Sequence, residues 1–219
     1  VKEIKRVRQE IQEDQRRQAA EVRRIASLQV ALEGQRDEVA GLEAAKESRL
    51  QEIEHDRALY ERMLAELERE SERIEEAIRR LQATPEGQKR YARKFVGGLA
   101  LPVSGRITSR FGYRVHPITG AHSLHTGVDI ACPTGTAVHA AAAGEVILAG
   151  WMGAYGYTVV IDHGGGVSTL YGHNSKLLVQ VGHQVSRGDL VARSGSTGWS
   201  TGPHVHFERR KDGRPVNPL

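Results

Sequence analysis

Two short segments, H-S-L-H-T-G-V-D-I (122–130) and G-P-H-V-H-F-E (202–208), decide how this 219-residue chain is read. Each gathers imidazoles or a carboxylate into glycine-punctuated text. Alternate residues of a β-strand share a face, so His204 and His206 look into one pocket. His125 and Asp129 are four residues apart, which a straight strand would separate by roughly 13 Å. That is too far for two bonds of about 2 Å to one metal. The chain is therefore expected to bend between them, most easily at Gly127. Together the two segments look like a zinc site.

The text around them adds ordered blocks: S-R-F-G-Y-R-V-H-P-I-T-G (109–120), P-T-G-T-A-V-H-A-A-A-A-G-E-V (133–146), Y-G-H (171–173) and S-T-G-P-H-V-H-F-E (200–208). With H-T-G-V-D before a later H-V-H, this order resembles the LytM/lysostaphin-type zinc endopeptidases, peptidase family M23. The resemblance covers about residue 101 to the end. It implies an antiparallel β-domain with a groove across one sheet. It also implies that His125, Asp129 and His206 ligate zinc, although spacing alone leaves His204 and His206 equivalent. Three protein ligands leave one tetrahedral position open, as in catalytic zinc sites. His173 and His204 match the family's two non-ligand histidines, which move the proton or steady the developing oxyanion.

The implied substrate is a peptide within peptidoglycan, and the implied location is outside the cytoplasm, periplasmic or wall-associated. Some coiled-coil relatives have lost metal ligands and act as non-catalytic activators of other wall hydrolases. All five positions are present here, so that reading stands second.

Other constellations in this half carry less. Gly198–Gly202 fits G-x-S-x-G, but a serine elbow needs a following helix, and Pro203 with a strand-like run follows instead. Arg187-Gly188-Asp189 and Gly164–Gly166 read as turns. H-E-x-x-H is absent from the sequence. His55 reads as surface, His122, His139, His163 and His183 as structural or surface, and His116 as a support of the fold. Short runs bounded by glycine predict strands at 106–109, 136–140, 145–150, 157–162, 167–171, 190–193 and 204–209, an all-β domain.

The first part of the chain has a different period. Every seventh residue from Ile4 to Leu81 forms one series, and ten of its twelve members are apolar; Gln18 and Lys46 are the exceptions. No proline interrupts it. Such heptads predict a long coiled-coil helix over 1–82. Gly34 and Gly41 each cost about 1 kcal/mol in a helix, so a hairpin turning there competes. The unbroken register favours the continuous helix. Its apolar stripe calls for a partner: a second copy, another segment, or a docking site on a membrane-bound division complex, as in coiled-coil relatives. Thr84-Pro85 predicts a helix start, and a short basic helix to about Phe95. The expected organisation is coil (1–82), linker (83–100) and peptidase (101–219), with the linker as a candidate cover for the active site.

Composition narrows the classes. Residues 1–82 carry a net −3 and the remainder +7. The basic residues are scattered without a stacking aromatic series, which argues against nucleic acid. No run of eighteen apolar residues occurs, so no membrane-spanning segment is predicted. Cys132 is the single cysteine, which leaves no intrachain disulfide. The chain begins without methionine, so a signal or anchor is expected upstream.

Overall fold

The structure, a computed structural model, describes residues 2–115 and 122–219, the side chains of Lys2 and His122 excepted. His116, assigned to the R-V-H-P block, lies outside the described residues. The chain divides into two compact units, Val1–Asp56 and Arg57–Leu219.

The first unit is helical throughout the described residues, as part of helix α1 (Lys2–Gln82). The helix runs through Gly34 and Gly41 without a turn. Ile4, Ile11, Ile25, Leu32 and Val39, all on the heptad stripe, are each at least half exposed. The stripe is bare in the single chain.

Among the described residues, the second unit holds the rest of α1, a short helix α2 (Pro85–Tyr91) and thirteen strands. These are β1 (Arg106–Ser109), β2 (Gly112–Val115), β3 (His122–His125), β4 (Val128–Ala131), β5 (Ala137–His139), β6 (Gly144–Trp151), β7 (Tyr157–Asp162), β8 (Val167–Asn174), β9 (Lys176–Leu177), β10 (Gln184–Val185), β11 (Leu190–Arg193), β12 (His204–Lys211) and β13 (Arg214–Val216). The main sheet runs β1-β4-β12-β8-β7-β6-β10, with β13 also paired to β12. A second sheet runs β5-β11-β9, and β2 pairs with β3. Every pairing is antiparallel.

Period-two alternation gives the main sheet two covered faces. One face carries Val128, Ile130, Val146, Val159, Ile161, Tyr171, Val205 and Phe207, packed with Val138 and Val191 of the second sheet. The other face carries Ile147, Val160 and Leu170, and with Tyr155 these bury Ile74 and Ile78 of α1. Leu67 and Leu81 flank that cluster. The last heptads of α1 thus find their partner in the chain's own sheet, an outcome the heptad pattern does not distinguish from pairing with another helix.

Helix α2 starts as its sequence indicates: the Thr84 hydroxyl accepts from Gly87 N–H at 3.1 Å. It ends at Tyr91 rather than near Phe95, because the following residues lie against the Gly164–Gly166 turn. Arg90 reaches Asp162 at 3.2 Å and Glu145 at 3.0 Å. The linker therefore docks at that end of β7 and contributes no residue to the lining of the histidine pocket described below.

Candidate metal centre

β12 builds the site because its even positions face the α1 side of the sheet. His206 pairs with Asp129 across β4 and with Gly172 across β8. Glu208 sits opposite Leu170 and Arg210 opposite Ser168, while Val205 and Phe207 enter the core behind. The bend expected between His125 and Asp129 is a change of sheet, with β3 ending at His125 and β4 starting at Val128. Gly127 permits it by size. A Cβ there would stand 2.4 Å from the Phe207 carbonyl oxygen and 2.9 Å from His206 Cε1.

Across this bend three donors converge. Asp129 Oδ1 lies 3.2 Å from His125 Nε2 and 2.8 Å from His206 Nδ1, and the two imidazole nitrogens are 3.3 Å apart. One ligand atom from each residue lies within 4.8 Å of the others, the sole such group among the described residues. Two imidazole nitrogens and one carboxylate oxygen suit a zinc ion with an open position. The rings are oriented from behind: His125 Nδ1–H donates to the Arg110 carbonyl at 2.9 Å, and His206 Nε2–H donates to Glu208 at 3.0 Å.

His173 and His204 stand beside this group, their ring centroids 4.8 Å apart. His173 Nδ1–H donates to the Thr197 carbonyl and His204 Nδ1–H to the Gly202 carbonyl, each at 2.8 Å. Both rings therefore keep Nε2 free to accept a proton. His204 Nε2 is 3.7 Å from Asp129 Oδ1. His173 holds φ at +60°, a left-handed conformation that costs a non-glycine residue on the order of 1 kcal/mol.

Electrostatics follow from burial and charge. Burial, then repulsion from His206 and His204, pushes His173 down to about 3. Burial opposes the charge on His206, but hydrogen bonds to Asp129 and Glu208 outweigh it and raise that ring to about 9. Burial likewise opposes ionisation of Asp129, yet its bonds to His125 and His206 hold it below the ordinary carboxylate range.

The donors open into a cavity of about 390 Å³, walled by Arg114, Val115, Trp199 and Ser200 and by Leu64, Leu67 and Glu68 of α1. Sequence reasoning missed Tyr155, which donates to Glu208 at 2.9 Å, and the role of Arg210. The signal for Arg210 was present, since it continues the even positions of β12 outward from His204.

Residues 123–218 match the sequence profile of peptidase family M23. The DD-carboxypeptidase/endopeptidase Mpg of Neisseria meningitidis serogroup B is 50% identical over 114 residues, covering 52% of this chain and 26% of that protein. The murein hydrolase activator EnvC of Escherichia coli K12 is 41% identical over 117 residues, covering 53% and 27%. The chain spans about a quarter of the length of these curated relatives. The crystal structure of a zinc-containing peptidase from Vibrio cholerae superposes with a TM-score of 0.54 at 38% identity, over 56% of this chain and 39% of that one. Among the described residues no helix is long and apolar enough to cross a membrane. The segment that matches peptidase family M23 thus contains strands β4 to β13 and all three donors.

Proposed function

We propose that the chain is a zinc metalloendopeptidase that hydrolyses peptide bonds of peptidoglycan outside the cytoplasm. The observation that carries this reading is the convergence of His125, Asp129 and His206 beside two histidines whose Nε2 atoms are free. Zinc, when bound, supplies Lewis-acid polarisation of the scissile carbonyl and a water acidified toward neutral pH. His125 Nε2, a carboxylate oxygen of Asp129 and His206 Nδ1 hold the ion. His173 and His204, each tethered through Nδ1–H to a backbone carbonyl, pass the proton from the attacking water to the leaving amine and steady the oxyanion. The glycine-rich wall at 195–202 suits an extended peptide of small residues.

The α1 wall of the cavity adds regulation to this reading. Leu64, Leu67 and Glu68 narrow the approach to the donors, so α1 restrains the enzyme until a partner engages the bare stripe of the first unit. That stripe suits a second copy of the chain or a docking helix of a membrane-bound complex.

A second reading has its own support. EnvC, 41% identical over the shared segment, is named an activator of murein hydrolases. The full donor set and both histidines favour the enzyme. Digestion of purified peptidoglycan by zinc-loaded protein, with products identified by mass, tests the choice. New peptide ends support hydrolysis. Intact peptidoglycan, together with stimulation of an added wall amidase, supports the activator.

A further inference from the structure

Glu208 and Arg210 are fully buried charged residues that belong neither to the donor set nor to the histidine pair. Burying two charges is costly unless each is paired and hydrogen-bonded, so their partners identify what the pair holds in place. Arg210 Nε donates to Glu208 Oε2 at 2.6 Å. The other carboxylate oxygen accepts from His206 Nε2–H at 3.0 Å and from the Tyr155 hydroxyl at 2.9 Å. Behind the guanidinium stands α1: Nη1 donates to the Ser71 carbonyl at 3.1 Å and Nη2 to the Ser71 hydroxyl at 2.9 Å. Nη1 also reaches the Gly213 carbonyl at 3.1 Å. An unbroken run of polar contacts thus joins the last turns of α1 to the imidazole of His206.

The reason for such a run lies in imidazole chemistry. A neutral imidazole presents one bare nitrogen, and which one is bare depends on where the other donates its hydrogen. A fixed carboxylate on the Nε2 side commits Nδ1 to the donor cluster. Without it, the ring has a second tautomer and a second orientation. Carboxylates placed behind metal-binding histidines change metal affinity by 10–100-fold.

We propose that Arg210 and Ser71 are positioning residues for the metal centre, in which α1 holds the Arg210 guanidinium, Arg210 holds Glu208, and Glu208 fixes His206 for ligation through Nδ1. This rests on His206 being a metal ligand. It makes α1 a component of the centre as well as a wall of the cavity.

The test uses the whole chain and two readouts besides turnover: zinc affinity by chelator competition, and the visible spectrum of the cobalt(II)-loaded protein, which reports ligand geometry. Arg210→Met alone leaves the Glu208 charge buried without its partner and threatens folding. The informative variants are therefore Ser71→Ala, which removes one hydroxyl, and the charge-neutral pair Glu208→Gln with Arg210→Met. The pair is expected to weaken zinc binding roughly tenfold, with an altered cobalt spectrum. Ser71→Ala is expected to weaken it about threefold, and Ser71→Thr to restore it. Wild-type affinity and spectrum in both the pair and Ser71→Ala overturn the relay and leave the donor set standing. Wild-type protein that takes up no zinc overturns the donor set, and the relay with it.

Discussion

At Gly127 the absence of a side chain matters more than freedom of the backbone, because β12 passes where a Cβ would sit. Gly127→Ala is expected to push β12 from β4, to destabilise by about 2 kcal/mol, and to lower zinc content; urea unfolding and metal analysis check both. The two histidines of β12 divide differently. His206→Ala is expected to lose zinc and activity, whereas His204→Ala keeps most of its zinc and loses activity, as read by metal content against peptidoglycan turnover. Equal zinc loss in the two would overturn the assignment of His206 as ligand and His204 as non-ligand. His163 is a structural case: its Nδ1–H donates to the Ala143 carbonyl at 2.8 Å, and burial pushes its pKa below the ordinary 6.5. The unfolded chain then binds the extra proton first, so this group stabilises the fold fully above about 6.5 and progressively less as pH falls toward its lowered folded value. His163→Gln is expected to flatten the pH dependence of the melting temperature below 6.5. The alternation in H-V-H-F-E made His204 and His206 legible as one face. The choice of Nδ1 or Nε2 was not, because it depends on a carbonyl or carboxylate brought from another strand.

Among the elements, strands carrying β-branched runs between glycines were legible, β7 and β11 to the residue. β2, β3, β4, β9, β10 and β13 were not read as strands. They are two to four residues long and owe their existence to pairing partners distant in sequence. α1 was legible from its heptads, but its docking was not, since Ile74 and Ile78 look the same facing a helix or a sheet. Ile74→Ala and Ile78→Ala are each expected to cost about 2–4 kcal/mol, against roughly 0.5 kcal/mol or less for Ile11→Ala on the bare stripe; urea unfolding of the three variants checks this. For α2, Arg90 holds the Asp162 carboxylate, itself almost wholly buried. Arg90→Ala is expected to cost roughly 2 kcal/mol and to leave zinc affinity unchanged, because α2 contributes nothing to the cavity wall.

For the molecule as a whole, the position of a cut becomes decisive. Every donor lies beyond residue 101, so the sequence suggests that a chain beginning there folds alone and keeps its metal. The structure gives a different expectation. Such a chain exposes Ile147, Val160 and Leu170 and takes Ser71 from Arg210, so it should bind zinc more weakly and unfold earlier than one beginning at Arg57. Circular dichroism melting and chelator competition on the two lengths decide between them. The parity of β12 has a final consequence, for inheritance. One codon lost between His206 and Arg210 would reverse the facing of the residues on one side of the gap, so that His206 and Arg210 could no longer share a face, breaking the donor set from its support and disturbing the core in a single event. No half-working form lies along that path, so descendants can vary β12 by exchange of residues but not by length. The helical stripe before Arg57 repeats every seven residues and carries no such constraint, so gains and losses of whole repeats should accumulate there.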